Sequence, residues 1–385
     1  MFSRRTDWNL APNRLTLALQ EAVRRGSKIL DLTLSNPTQA GLEYQESAIL
    51  EALKNPGALD YHPHPQGLPS AREAVAAYYS RAADAERIVL TTGTSEGYSF
   101  LFRLLANPGD EILVPKPSYP LLDFLAGLDD VRLAPYSLVY DHLWQIDFHS
   151  LEQAVGEKAR AIVLVHPNNP TGSFVKAEER RELNAICRRH NLALIVDEVF
   201  LDYPHDGKVR PTFAANDEVL TFTLSGISKI AALPQMKLGW IAVSGPSSDR
   251  TPACERLAVI ADTYLSMNAP VQLAAPVLLD QRRSVQPQLL RRVRANLAEL
   301  DRQLGLQKSC SRLEVEGGWY AVLRVPVLRS DEDFAVELVR SHAVLVHPGH
   351  FYDFAGDGRL VLSLIGPREE FRVAVERVLQ FANQT

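Results

Sequence analysis

The chain has 385 residues, of which 46% are apolar and 23% charged, with 41 Lys and Arg against 46 Asp and Glu and a net charge of −5. This composition is typical of a globular protein large enough for two domains, and it gives no sign of a nucleic-acid partner or a membrane surface. The cysteines, Cys187, Cys254 and Cys310, match neither a disulfide framework nor a metal pair, which predicts a reducing, cytoplasmic setting. No apolar run is long enough to span a membrane, and none follows the first arginines, so no export signal is expected.

Predicted strands and helices alternate through the first two thirds of the chain. Apolar runs predict strands over residues 87–90, 111–114, 161–165, 192–196, 218–224 and 240–243, and helical patterns cover 68–80, 95–106 and 177–190. Near-continuous apolar strands between amphipathic helices predict an α/β fold with a mostly parallel sheet flanked by helices. A helical stretch over 271–304, then strands near 318–325 and 359–364, predicts a smaller α+β domain.

Three polar residues follow predicted strands, where an open α/β sheet binds its ligands. Asp197 ends an apolar run, and a carboxylate at a buried strand end needs a partner. Lys229 follows a turn of small residues, a partly enclosed position that can depress the pKa of an amine and make it nucleophilic. Asn169 lies in a proline-rich turn. Each residue alone is also typical of an ion pair, a solvated surface lysine or a turn.

A fourth signal is the segment Thr92-Gly93-Thr94-Ser95, which follows a predicted strand and opens a predicted helix. Exposed backbone N–H groups and hydroxyls at such a position suit a phosphate. Ser and Thr are also common caps of helices, so this segment is weak evidence by itself.

Together, in chain order, these segments resemble the class I and II aminotransferases of fold type I, pyridoxal-5′-phosphate (PLP) enzymes similar to aspartate aminotransferase. The resemblance runs from about residue 30 to the C-terminus, and the ordered set is far more specific than any one segment. The segments that carry it are Ser35-Asn36-Pro37-Thr38, Tyr61 with Gly67 and Arg72, Gly93-Thr94-Ser95-Glu96, Pro117-Ser118-Tyr119-Pro120, Asn168-Asn169-Pro170-Thr171-Gly172, Asp197-Glu198-Val199, Ser228-Lys229 and Gly317-Gly318-Trp319.

The resemblance implies that PLP is the cofactor and that Lys229 holds it as a Schiff base. It implies that Asp197 pairs with the ring nitrogen and keeps it protonated, which makes the ring an electron sink. Asn169 is implied to bond the phenolic oxygen of the ring, and Tyr119 to stack on the ring and join the catalytic residues. The cofactor's remaining contacts, most of them to its phosphate, are expected from Gly93, Thr94, Ser95, Ser228 and Lys237.

The resemblance also implies a homodimer with shared active sites, in which Tyr61 reaches the phosphate of the partner subunit. Asn36 and Asn169 are expected to contact the substrate. The expected division is an N-terminal arm and part of the small domain over residues 1–44, a large PLP-binding domain over 45–268, and a linking helix with a small C-terminal domain over 269–385.

Three positions depart from the pattern of the family. Three residues after the aspartate, where the family usually has a tyrosine, this chain has Phe200. The phenol that normally acts on the ring oxygen is therefore missing. Eight residues after the lysine, where the family usually has an arginine, this chain has Lys237. A single ammonium charge there replaces the two-pronged guanidinium. A small residue usual three positions before the lysine is Gly226, which carries no hydroxyl.

The arginine that binds the α-carboxylate of the substrate has two candidate positions. Counting forward from Pro348-Gly349 leads to Arg359, and counting back from Gly366-Pro367-Arg368 leads to Val361. Both side chains leave one face of a strand, about 6–7 Å apart along it. Arg359 is the expected carboxylate ligand.

The function that the resemblance implies is transfer of an amino group between an α-amino acid and a 2-oxo acid. One alternative keeps the cofactor and changes the reaction to that of a C–S lyase, a decarboxylase, a cyclase or a racemase. A second is a binding or regulatory protein on a degenerate aminotransferase fold, which the presence of Lys229, Asp197 and Asn169 disfavours. A dinucleotide oxidoreductase is also disfavoured, since no G-x-G-x-x-G follows the early strands.

Overall fold

The computed structural model describes residues 1–265 and 267–384. Its helices, in chain order, are α1 Arg14–Arg24, α2 Glu46–Ala52, α3 Pro69–Tyr78, α4 Thr94–Leu105, α5 Leu121–Leu128, α6 Phe148–Ala154, α7 Ala177–His190, α8 Ile227–Ile230, α9 Ser247–Tyr264, α10 Ala269–Asp280, α11 Arg282–Leu304, α12 Asp331–His342 and α13 Arg368–Gln384. Its strands are β1 Leu30–Asp31, β2 Ile88–Thr91, β3 Glu111–Lys116, β4 Arg132–Asp141, β5 Leu143–Ile146, β6 Ala159–Val165, β7 Ala193–Asp197, β8 Thr221–Gly226, β9 Gly239–Ser244, β10 Ser311–Arg312, β11 Tyr320–Arg324, β12 Val344–Leu345, β13 His347–Pro348 and β14 Arg359–Ser363.

The large sheet has eight strands in the order β2-β9-β8-β7-β6-β3-β4-β5. The pairs from β8 through β7, β6 and β3 to β4 are parallel, and the pairs β2–β9, β9–β8 and β4–β5 are antiparallel. Every residue of β7, β8 and β9 is buried, because helices cover both faces of the sheet. The predicted α/β fold with a mostly parallel sheet is therefore confirmed.

A smaller antiparallel sheet of four strands, in the order β10-β11-β14-β13, forms the core of the C-terminal part. Helix α1 packs on this part of the protein, since Leu15, Ala18 and Ala22 share a hydrophobic cluster with residues of α12 and α13. Strand β1 also pairs with β12 in parallel. The start of the chain thus joins the core of its C-terminal part.

The helical stretch predicted over residues 271–304 is two helices, α10 and α11, with Gln281 between them. Gln281 is almost fully buried, and its amide donates to the carbonyl of Val277. The change of helix there allows α10 to pack on α3 and α11 to pack on α13.

The parallel strands bring the ends of β3, β6, β7 and β8 to one edge of the large sheet. The segments that follow are the cis-proline turn at Pro117, the turn 166–172, Asp197 with its successors, and the short helix α8. The small sheet lies beside this edge. No helix among residues 1–265 and 267–384 has the length and apolar character required to cross a membrane.

Candidate active site

Lys229 lies on α8, directly after the buried strand β8. Its ammonium group donates to the carbonyl of Ser35 at 3.3 Å and lies 5.1 Å from the ring centre of Trp319 and 5.8 Å from that of Phe200. Burial lowers the pKa of Lys229 to about 8, and the nearby Asp197 carboxylate opposes this change. A lysine in this setting supplies the free amine near neutral pH far more readily than a surface lysine does.

Asp197 is the last residue of β7 and pairs in register with Leu224 of the neighbouring strand β8. Its carboxylate accepts hydrogen bonds from Val199 N at 3.1 Å and from the Tyr98 hydroxyl at 3.2 Å. Burial still raises the pKa of Asp197 to about 6. The two hydrogen bonds and the Lys229 ammonium do not offset the loss of water, so this carboxylate favours a further cationic partner.

Tyr98 was not expected at the site. It lies four residues after Thr94 on α4, on the same face of the helix, and it is buried. Helical spacing from Thr94 was the sequence signal that could have identified it.

Asn169 lies in the turn after β6 and is 8% exposed. Within the described residues, its side-chain oxygen is buried without a hydrogen-bond partner. Neighbouring Asn168 differs, because its side-chain oxygen accepts from the N–H and the hydroxyl of Thr171 and so holds the turn together. An unpaired buried amide next to an organised turn is costly and is typical of a group that awaits a ligand.

Gly93, Thr94 and Ser95 form the start of α4, where backbone N–H groups are free of helical partners. Lys237 approaches the same point: a Cβ atom built on Gly93 would lie 3.8 Å from its ammonium nitrogen. The positive end of a twelve-residue helix and a lysine therefore meet at one place, which is the charge arrangement that a phosphate requires.

Aromatic side chains form the wall between this edge and the small sheet. Phe200 contacts Trp319 and Tyr320, with ring centres 5.2 Å and 6.2 Å apart. Burial chiefly raises the pKa of Tyr320, and Tyr119 is close enough to contribute. Tyr119 itself is half exposed at the end of the turn after β3.

Asn36 and Lys229 line one open cleft of about 670 Å³, together with Ser35, Pro37, Thr38, Pro234 and Gln235. The side-chain oxygen of Asn36 accepts from the N–H and hydroxyl of Thr38. This arrangement fixes the orientation of the amide and turns its NH2 group away from Thr38. Ser228, beside Lys229 on α8, is partly exposed.

Two predicted residues lie apart from this group. Tyr61 is 75% exposed and lines a different cavity of about 250 Å³ with residues of α9 and α10. Arg359 is the first residue of β14 and Ser363 is the last, four residues or about 13 Å further along the strand. The Ser363 hydroxyl donates to the carbonyl of Leu34, so the two ends of β14 lie at different distances from the site.

The guanidinium of Arg359 donates to the carbonyl oxygens of Asp357 and Gly358. The Asp331 carboxylate acts on this guanidinium electrostatically and raises its pKa against the larger effect of burial. These contacts argue against the prediction that Arg359 binds the substrate carboxylate, because they turn the side chain to its own loop at the far end of β14.

The residues that the structure does bring together fit PLP. Asp197, a buried carboxylate without a full cationic partner, matches the ring nitrogen, and the amide of Asn169 matches the ring oxygen through its NH2 group. The Lys229 amine of lowered pKa matches the aldehyde, and the positive start of α4 matches the phosphate. Among the described residues, no group of three or more His, Cys, Asp or Glu side chains could hold a metal ion.

Comparison with known proteins places the chain in a family. The sequence profile of the family described as aminotransferase class I and II matches residues 27–378. The chain is 28% identical to the glutamate-pyruvate aminotransferase AlaA of Haemophilus influenzae over 377 residues, which cover 94% of this chain and 93% of the relative. It is 30% identical to the AlaA protein of Escherichia coli over 275 residues, which cover 69% of this chain and 68% of the relative.

The fold is shared as well. The alanine aminotransferase of Pyrococcus furiosus superposes with a TM-score of 0.90 at 23% identity, covering the whole of both chains. A mutant aspartate aminotransferase of Thermus thermophilus superposes with a TM-score of 0.84 at 21% identity over 99% of each chain. The fold is therefore that of the fold type I enzymes, as predicted. The chain belongs to the class I and II aminotransferases, enzymes that move an amino group between an amino acid and a 2-oxo acid.

Proposed function

We propose that this aminotransferase binds PLP through Lys229 and uses Asp197 as the counter-charge of the ring nitrogen. One observation carries the proposal: an amine of lowered pKa and a carboxylate of raised pKa follow two adjacent buried strands and act on each other electrostatically. Opposed shifts of this kind at the edge of an α/β sheet are typical of a catalytic pair.

PLP, when bound, supplies a ring that accepts the electrons released when the Cα–H bond of an amino acid breaks. The chain's own part is to hold and move protons. Asp197 holds a proton at the ring nitrogen, since burial makes its charge costly until that cation is present. Lys229 takes the proton from Cα and returns it on the cofactor side, which an amine with a pKa near the working pH does well.

The phosphate is assigned to the start of α4, with Gly93, Thr94 and Ser95 as donors and Lys237 as the cation. Ser228 lies beside Lys229 on α8 and is proposed as a further cofactor contact. A single ammonium gives charge but no fork geometry, so the backbone N–H groups of α4 must set the orientation of the phosphate.

The ring oxygen is assigned to the amide of Asn169, and stacking on the ring to Tyr119. Phe200 contributes its ring but no hydroxyl, and it lies between Lys229 and Tyr320. The ring oxygen therefore has one fewer donor than in the usual pattern of the family.

For the substrates, alanine and pyruvate are proposed as the first pair, since the relatives carry the names alanine aminotransferase and glutamate-pyruvate aminotransferase. Asn36 and Asn169 are proposed as substrate contacts because both amides are at the site. We also propose the division into residues 1–44, 45–268 and 269–385, with the first and last parts sharing one core.

Reduction with borohydride followed by peptide mapping tests the central assignment. The reduced cofactor should be found on Lys229, because its amine is the one of lowered pKa at the site. Lys237→Ala serves as the matched control, since it should weaken PLP binding and leave the site of attachment unchanged. An adduct on any other lysine contradicts the proposal.

Turnover of alanine with a 2-oxo acid acceptor tests the reaction itself. The amino form of the cofactor should accumulate when alanine is given without an acceptor, and the absorbance should return when the acceptor is added. Release of ammonia or carbon dioxide in place of this cycle would favour one of the other PLP reactions.

A further inference from the structure

One face of the small sheet is directed at the site. Residues paired across neighbouring strands carry their side chains on the same face, and three such pairs are Tyr320 with Ser363, Val322 with Val361, and Val361 with His347. The Tyr320 ring contacts Phe200, and Val322 shares a cluster with Trp144 of the large sheet. We call these five paired residues the inner face.

The inner face offers few groups that can recognise an anion. Val322 and Val361 are buried hydrocarbon, and Ser363 gives its hydroxyl to the carbonyl of Leu34. Two donors remain: Tyr320, a buried phenol whose ring packs against Phe200, and His347, a partly exposed imidazole beside Val361. An α-amino acid or a 2-oxo acid brings a carboxylate into the cleft, and a desolvated carboxylate needs a donor.

Tyr352 fixes the orientation of the His347 ring. Its hydroxyl lies 3.1 Å from Nδ1 of His347. Its backbone carbonyl accepts at 3.0 Å from the N–H of Ser118, the residue before Tyr119. Burial raises the pKa of the Tyr352 phenol, so this hydroxyl keeps its proton and is able to donate it to Nδ1 of His347. Burial also lowers the pKa of His347 against the opposing effect of Asp31.

A neutral imidazole that accepts at Nδ1 carries its proton on Nε2. Within residues 1–265 and 267–384, Nε2 of His347 has no hydrogen-bond partner, and it is not among the buried unpaired atoms. With Nδ1 accepting from Tyr352, the ring presents a free Nε2–H. Lys229 and Lys237 are assigned to the cofactor, and Arg359 is turned to its own loop.

We propose that His347, oriented by Tyr352, binds the carboxylate of the substrate through its Nε2–H. This inference rests on the proposed function, since it requires the substrate to lie between Lys229 and the inner face. One neutral donor replaces a charged fork, so discrimination for a carboxylate over a carboxamide is expected to be modest and to depend on this histidine.

Binding of 2-methylalanine and of its amide to the PLP-loaded enzyme tests the proposal. 2-Methylalanine has no Cα–H, so its dissociation constant reports binding without turnover. His347→Phe keeps a ring and removes the donor, and should raise the dissociation constant of the acid about tenfold, the cost of one unmade hydrogen bond to a charged group. The constant for the amide should rise less, since its carbonyl oxygen accepts only a weaker hydrogen bond between neutral groups. His347→Gln retains an N–H donor and should recover part of the loss.

His350→Ala is the matched control, because His350 is an exposed histidine in the turn that follows Pro348. It should bind both compounds as the parent enzyme does, and so should Arg359→Ala. If His347→Phe loses its PLP absorbance through misfolding, His347→Ala measured in the same way decides the question. Unchanged binding of the acid by the His347 variants overturns the proposal, and a loss on Arg359→Ala would return the carboxylate to that arginine. Failure of the proposed function would appear separately, as a parent enzyme that carries no cofactor on Lys229.

Discussion

At the scale of single residues, the buried carboxylate of Asp197 lowers the stability of the cofactor-free fold and is suited to a cationic ring nitrogen. Its carboxylate is buried with two hydrogen bonds, and its pKa is raised to about 6. The folded protein therefore binds the proton of Asp197 more tightly than the unfolded chain does. Without cofactor, the fold loses stability as pH rises from about 4 through 6, by at most about 3 kcal/mol from this group.

Asp197→Asn should consequently make the cofactor-free protein more stable at pH 7, with a gain that shrinks toward pH 4. The amide should also lower turnover by several orders of magnitude, because it cannot hold the ring nitrogen as a cation. Urea unfolding of both cofactor-free proteins across this pH range measures the first effect. A variant that is less stable at every pH would show that the hydrogen bonds from Tyr98 and Val199 outweigh the cost of the buried charge.

At the scale of elements, the phosphate site depends on how closely β9 approaches the start of α4. Gly239 pairs with Thr91 of β2, and a Cβ atom at Gly239 would lie 2.8 Å from Cα of Gly93. Backbone atoms cannot yield to this contact without moving the loop that opens α4. Gly239→Ala should raise the dissociation constant of PLP about tenfold, the usual cost of mild overpacking.

Equilibrium titration of the cofactor-free protein with PLP checks this effect. Gly127→Ala is the control, since Gly127 lies on α5 and an added Cβ would meet nothing within 4 Å. That variant should bind PLP normally and gain slightly in stability, as helical glycine-to-alanine changes do. Equal PLP affinity in Gly239→Ala and the parent protein would mean that the loop is more adaptable than its contacts indicate.

Local pattern was enough for some elements and not for others. Helix α7 has the predicted bounds, because its apolar period is clear and Asn191 ends it in a left-handed conformation. The hairpin of β4 and β5 was missed, since these strands mix exposed and buried positions without a continuous apolar run. Sequence pattern identifies strands that are buried on both faces, such as β2, far better than strands with exposed positions, such as β4 and β5.

The site shows the same limit. Residues that follow strands of the large sheet, such as Lys229 and Asp197, could be predicted to meet, because parallel strands end at one edge. The contribution of the small sheet could not. His347 pairs with Val361 because of the register between β13 and β14. Arg359 turns to its own loop because of the conformation of the segment after Asp353. Short-range sequence pattern determines neither the register nor the loop.

At the scale of the whole molecule, the surface around Tyr61 is unusually apolar for a region in contact with water. Tyr61 is 75% exposed and Leu265 54%, and both line the cavity of about 250 Å³ at the start of α10, while Leu59, two residues before Tyr61, is 92% exposed. Grouped exposed side chains of this size are typical of a protein–protein interface. Since Tyr61 makes no contact with Lys229 in its own chain, a second copy is the partner that would give this tyrosine an active site to reach.

Mixing two inactive variants tests that arrangement. Tyr61→Ala lacks the donated phenol and Lys229→Ala lacks the amine, but a hybrid dimer has one site with Lys229 from the first variant and Tyr61 from the second. Random reassembly makes half of the dimers hybrid, each with one intact site, so about a quarter of the parent activity should return. Lys229→Ala mixed with Asp197→Asn is the control, because both changes affect residues that one subunit supplies to its own site, and no hybrid has an intact site.

Restoration of activity in the mixture of Tyr61→Ala with Lys229→Ala alone supports the shared site. Equal restoration in both would point to simple stabilisation by mixing, and a fully active monomer in solution would remove Tyr61 from the partner's site altogether.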